Sequence, residues 1–180
     1  MKSHTLTLSD GGRVFFIENF FPQQMADQLL ALFLKDDTSS WQAHRNFATV
    51  SGRLVYCGDM VVLNNINDFV KTQLDTIAAW VNKPVKLLNT SLWKDIAGYH
   101  SGVHTDQDHY EYATQIYITD TPHLAAGTAI YQDLAQPVAQ MAFRHNFGYL
   151  FDTAKTVRHA VHAIPQGVNR FSVYTRYQLA

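Results

Sequence analysis

The chain has 180 residues, 47% of them hydrophobic and 16% charged, with 14 Lys+Arg against 15 Asp+Glu for a formal net charge of -1. Such a chain buries roughly 70% of the surface its unfolded form exposes, so one domain of this size needs neither disulfides nor a structural metal to fold. A single cysteine, Cys57, excludes an internal disulfide framework and Cys-rich zinc sites, and the balanced charge gives no support to a nucleic-acid partner.

The first half reads as a hairpin followed by helices. Thr5 to Leu8 and Arg13 to Ile17 are strand-like, and Gly11-Gly12 between them would supply the positive φ angles of a tight primed turn. Pro22 suits a first helical position, and Met25, Leu29, Leu32 and Phe33 then fall on one helical face up to Lys35. A second helix is predicted from about Asp68 to Val81, burying Phe69, Val70, Leu74, Ile77 and Trp80, with Pro84 just past its end.

From Val85 the period changes to that of short strands: 86–93, 112–119, 128–131, 140–144, 149–151, 157–163 and 169–177. Seven strands behind two helices imply an α+β, mainly β chain, a sandwich or barrel buttressed by the N-terminal helices. A single domain spanning 1–180 is expected, with 1–84 packing on a barrel core of 85–180. No apolar run reaches the 18 or more residues of a membrane span and MKSHTLTLSDGG lacks a signal-peptide core, so a cytoplasmic location without a membrane partner is expected.

Chemistry concentrates in two places. His104 and Asp106, in GYHSGVHTDQD, point the same way along an extended segment and can reach one ion. Chance alone supplies about 0.65 such His-x-Asp pairs in a chain of this composition, so the pair needs a third ligand. KTVRHAVHAIPQGVNRFSVYTRY offers His159 and His162, followed by Arg170. Two histidines and one carboxylate with open positions are the facial triad of non-haem Fe(II) oxygenases. A planar guanidinium is suited to the far carboxylate of a bidentate 2-oxoacid. Strand alternation puts Arg170, Ser172, Tyr174 and Arg176 on one face and Phe171, Val173, Thr175 and Tyr177 on the other.

Over roughly residues 89 to 177 the chain resembles the Fe(II)/2-oxoglutarate-dependent oxygenases of double-stranded β-helix (jelly-roll, cupin-like) fold, including prolyl-hydroxylase-like and small bacterial or phage members. LWKDIAGYHSGVHTD, YATQIYIT, GTAIYQD, FRHNFGYLFDT and HAVHAIPQGVNRFS follow one another in that family's order. The resemblance implies Fe(II) ligands His104, Asp106 and His159, with Arg170 on the C5 carboxylate of the 2-oxoglutarate cosubstrate and O2 as oxidant. Ser172 matches a hydroxyl two residues beyond that arginine, and Tyr117 matches a core-strand tyrosine that donates to the same carboxylate. Trp93 stands either as a pocket-lining residue or as core packing.

His159 and His162 are three apart and face opposite sides of a strand, so only one is a ligand. His159 begins the His-x-Val-x-x-Ile pattern eleven residues before Arg170 and is preferred to His162. Asp108 reads as a solvated loop carboxylate with a minor claim to the place of Asp106 or to substrate contact. Cys57 reads as a small buried hydrophobe, Arg144 and Arg158 as surface or ion-pair residues, and His100, His109 and His123 as loop histidines. The expected reaction is oxidation, as a rule hydroxylation, of a small-molecule or peptide substrate with release of succinate and CO2. Its rivals are a cupin-like metalloenzyme without 2-oxoglutarate, which would not need Arg170, and a metal-free β-helix binding module.

Overall fold

The computed structural model describes residues 1–35, 38–43, 52–106, 111–152 and 157–180. Elements follow in the order β1 (Lys2–Thr7), β2 (Arg13–Glu18), α1 (Gln23–Leu34), β3 (Trp41–Ala43), β4 (Arg53–Tyr56), α2 (Met60–Thr72) and α3 (Leu74–Val81). Then come β5 (Val85–Asp95), β6 (Ser101–His104), β7 (Tyr112–Ile118), β8 (Thr128–Tyr131), β9 (Pro137–Gln140), β10 (Phe147–Asp152), β11 (Arg158–Val161) and β12 (Arg170–Leu179).

The strands form two antiparallel sheets, an eight-stranded one in the order β1-β2-β10-β7-β12-β5-β4-β3 and a four-stranded one in the order β6-β11-β8-β9. Alternation along the strands divides the apolar residues between the two faces of the larger sheet. Phe15, Ile17, Leu150, Phe171, Val173 and Tyr177 pack with Leu29, Phe33, Ile66, Val70 and Ile77 of the helices. From the opposite face Phe16, Tyr117, Phe147, Tyr149 and Phe151 meet Ile130 and Val161 of the smaller sheet. The helices therefore buttress the outside of a double-stranded β-helix whose interior lies between the sheets. The N-terminal half also contributes β1 to β4 directly to the larger sheet.

Two glycines and one asparagine permit this closure. A Cβ on Gly127 would lie 1.5 Å from the Met141 carbonyl oxygen, and one on Gly148 would lie 1.9 Å from that of Gln115, so neither position admits a side chain. Asn146 adopts a left-handed φ of 52°. Its amide accepts from Phe21 N at 2.9 Å and donates to Phe21 O at 2.8 Å, tying the turn before β10 to the start of the helical layer.

Several local expectations are corrected. The β1–β2 turn spans Leu8 to Gly12 and only Gly11 has positive φ, because Asp10 closes the turn by accepting from Gly12 N at 2.9 Å. The predicted second helix is two, and the first begins at Met60, where Asp59 caps Val61 N at 2.8 Å. Exposed Met60, Val61, Asn64 and Asn65 had blurred the helical period there. The strand expected at 140–144 is β9, three residues earlier; Met141 and Phe143 leave the ladder to bury their side chains, keeping only single backbone bonds to Thr128 and His123. Cys57 is exposed rather than buried. No described helix is long and apolar enough to cross a membrane.

Candidate metal centre and anion pocket

His104 ends β6, and the register pairs it directly with His159 on β11. Asp106 lies two residues beyond β6. One ligand atom from each of the three lies within 4.8 Å of the others, the only such group of three or more among the described residues. Asp106 Oδ1 is 3.6 Å from His104 Nε2 and 3.8 Å from His159 Nε2. Atoms each held about 2 Å from a common centre can be at most about 4 Å apart, and both carboxylate-to-imidazole spacings fall inside that limit.

The other ring nitrogens fit as well. His104 Nδ1 is 2.7 Å from Gly102 O and His159 Nδ1 is 3.3 Å from Val157 O. A carbonyl can only accept, so each contact fixes the proton on Nδ1 and leaves the Nε2 lone pair facing the cluster, as metal-ligating histidines require. His162, one residue past β11, is exposed, and it is His159 and not His162 that belongs to the cluster.

The two imidazoles differ electrostatically. Burial is the main influence on His159 and lowers its pKa to about 4, although Asp106 works in the opposite direction. His104 is more open and its hydrogen bond to Asp106 raises its pKa, outweighing burial. In the metal-free protein the unfolded chain binds more protons at the His159 position between about pH 6.5 and pH 4, so this residue's contribution falls as pH drops through that window. A displacement from 6.5 to about 4 corresponds to about 3 kcal/mol. His104 acts oppositely, stabilising below pH 6.5 and losing that contribution as pH rises through its raised value. A metal held by this cluster would then compete with a proton at His104 alone over the neutral range. Mn(II) affinity should fall about tenfold per pH unit below the raised His104 value, with one proton displaced. Titrations between pH 8 and pH 5.5 check this, and a slope of two would contradict it.

A second constellation fills the deep end of the interior. Arg170 is fully buried and its Nη2 donates to Thr128 Oγ1 at 2.9 Å, Tyr117 Oη at 3.1 Å and Gln115 Oε1 at 3.3 Å. Its Nη1 donates to Asp95 Oδ2, and its Nε has no hydrogen-bond partner among the described residues. Asp95, itself fully buried, also accepts from Arg53 Nε at 2.6 Å and Nη2 at 2.9 Å. Register explains the triad: Arg53, Asp95 and Arg170 are direct partners across β4, β5 and β12. Two guanidiniums and one carboxylate leave an excess positive charge. Burial works against the charge on Arg170, but the oxygens around it, those of Tyr117 and Asp95 foremost, more than offset this and raise its pKa.

Ser172 faces the same interior, with Oγ accepting from Gln115 Nε2 at 2.9 Å. The hydroxyls on Arg170 are those of Tyr117 and Thr128. Thr128, Asp95 and Arg53 were not singled out from the sequence; the one signal was the arginine, which once buried must have a carboxylate partner. Trp93 lines the interior, stacked on Tyr174 at 4.0 Å and lying under the Arg53 guanidinium at 4.0 Å. Asp108, His109 and Tyr110 lie outside the described residues. Arg144 pairs with Glu18 at 2.5 Å on the surface, and His100 is exposed.

No family model and no curated protein matches the chain. Solved structures do. A prolyl-4-hydroxylase of Pseudomonas putida superposes with a TM-score of 0.69 at 15% identity, covering 93% of this chain and 92% of that one. HygX of Streptomyces hygroscopicus, solved with nickel and 2-oxoglutarate bound, gives 0.66 at 11% identity over 93% of this chain and 83% of its own. A prolyl hydroxylase of Trichoplax adhaerens, in complex with a hypoxia-inducible-factor peptide, gives 0.68 at 14% identity over 92% and 83%. The chain shares the fold of these proteins.

Proposed function

We propose that this chain, as a single domain, is a non-haem Fe(II)- and 2-oxoglutarate-dependent oxygenase acting on a small molecule or a peptide. The observation that carries this reading is the presence, inside one barrel, of an N,N,O ligand cluster and a buried, hydroxyl-flanked arginine with excess positive charge. Solved proteins of this fold bind the same cosubstrate, HygX among them, which supports it. His104, Asp106 and His159 would hold Fe(II). Arg170, Tyr117 and Thr128 would hold the far carboxylate of 2-oxoglutarate, and Ser172 would keep Gln115 in place beside it.

When bound, Fe(II) with 2-oxoglutarate and O2 supplies oxidation of a substrate C–H bond, with succinate and CO2 as co-products. The chain's own contribution is positional. Backbone carbonyls of Gly102 and Val157 keep both imidazoles in the ligating tautomer. Asp95 stops Arg170 from swinging away, so the guanidinium meets a carboxylate already oriented. The apolar walls of Phe151, Ile130 and Tyr117 exclude water from the buried side of the site.

Anaerobic titration of the Fe(II)-loaded protein with 2-oxoglutarate tests the reading. A weak visible charge-transfer band of a chelated 2-oxoacid is expected to appear and saturate. Asp106→Ala should abolish metal binding and the band together while circular dichroism stays unchanged, since the core is complete without the ion. No band in the unaltered, iron-loaded protein would refute the cosubstrate assignment.

A further inference from the structure

Asp106 lies beyond the last paired residue of β6, so strand pairing does not orient its carboxylate. The two carboxylate oxygens nonetheless have different surroundings. Oδ1 faces both Nε2 atoms, whereas Oδ2 accepts a hydrogen bond from Tyr174 Oη at 3.2 Å. Tyr174 projects from the middle of β12, paired with Ser91 on one side and Gln115 on the other, so its backbone is fixed by two ladders.

Its ring is fixed as well. Trp93 stacks on it with centroids 4.0 Å apart and planes inclined by 17°. The Arg53 guanidinium is also 4.0 Å from the Trp93 centroid, and two groups this close must occupy opposite faces of the indole. Arg53 is in turn held by Asp95 through two hydrogen bonds and lies 4.4 Å from the Tyr99 centroid. A stacked column Arg53–Trp93–Tyr174 thus runs from the arginine pair at the deep end to Asp106. Both faces of Trp93 are covered, so it serves as a spacer in this column and not as a platform for a planar ligand.

We infer that Tyr174 is a positioning residue for the metal centre, donating to Oδ2 of Asp106 so that the carboxylate ligates through Oδ1 alone. The inference rests on the metal reading above. A carboxylate bound through one oxygen takes up one position on the ion, whereas a carboxylate free to rotate can chelate through both and fill a position needed by cosubstrate or oxygen. Partners of this kind commonly change metal affinity or activity by 10- to 100-fold when removed.

Tyr174→Phe removes the hydroxyl and retains the ring and its stacking on Trp93. Mn(II) affinity, measured on the purified full chain, should fall about tenfold. The Co(II)-substituted protein should show altered visible absorption, because the number of oxygen ligands changes. The melting temperature of the metal-free variant should match that of the unaltered protein. Equal Mn(II) affinity within twofold, with an unchanged Co(II) spectrum, would overturn the inference. A weakened affinity accompanied by a lower metal-free melting temperature and an unchanged Co(II) spectrum would also overturn it, showing a packing role. If the unaltered protein binds no Mn(II), the metal reading itself fails and this inference falls with it; if it binds and the variant binds equally, only the role of Tyr174 is lost.

Discussion

Replacing Arg170 by leucine is expected to leave Fe(II) binding nearly unchanged and to abolish 2-oxoglutarate binding at ordinary concentrations. Arg170 contacts none of the three ligand residues through a hydrogen bond; its partners are Asp95, Gln115, Tyr117 and Thr128. Truncating one member of a buried charge-assisted pair costs about 2 to 5 kcal/mol, much of it from the partner charge left unpaired. At about 1.4 kcal/mol per factor of ten, cosubstrate affinity should fall by about 30-fold to several thousand-fold. The variant should fold, because Arg53 still neutralises Asp95 through two hydrogen bonds. Calorimetric titration of the Fe(II)-loaded variant, set beside its metal affinity, provides the check. Normal 2-oxoglutarate binding would favour a cupin-like metalloenzyme, which has no use for this arginine.

The opposite substitution in the same triad should damage the fold instead. Asp95→Ala leaves Arg53 and Arg170 buried close together with no carboxylate between them. Removing one partner of a buried ion pair costs about 3 to 5 kcal/mol. Asp95 faces two buried guanidiniums rather than one, which places this variant toward the upper end, against a total stability of about 5 to 15 kcal/mol for a domain of ordinary size. Urea unfolding of the metal-free protein should show it, with a midpoint well below that of the unaltered chain. Exposed pairs such as Arg144 with Glu18 set the contrast, since surface pairs contribute about 1 kcal/mol or less. A loss of that smaller size at Asp95 would mean that water reaches the triad.

The two variants separate functions that the fold combines in one row of residues. Asp95 is needed whether or not cosubstrate is present, because it offsets two buried cations. On the proposed reading Arg170 serves the cosubstrate, because its second amino group lies among hydroxyls that can turn toward an incoming carboxylate. Asp95 thereby fixes the orientation of Arg170 while leaving the row with net positive charge.

What the sequence determined by itself was local. His104 and Asp106 are two residues apart in an extended segment, and Arg170 to Tyr177 alternate with period two, so their shared faces follow from strand geometry without any knowledge of the fold. The apolar spacing of α1 and α3 is likewise a property of their own residues. The spacing to Arg170 favours His159 over His162, and the tertiary structure separates the two by burial: His159 is enclosed within β11, whereas His162, just past its end, is in solvent. Where local preference was weak, as at the polar start of α2 or the irregular stretch after β9, packing against the sheets set the boundary instead.

The rest of the site had no local signature. Arg53 and Asp95 are 42 residues apart, and Asp95 and Arg170 are 75 apart. Only the side-by-side order of β4, β5 and β12 makes them neighbours. Thr128 reaches Arg170 from the other sheet, and Tyr174 reaches Asp106 across the interior. A buried charge or hydroxyl in any of these positions reads from sequence as one more polar residue in a strand. Its role is fixed by the need of each buried polar group for a partner, and which partner is available depends on how the two sheets close.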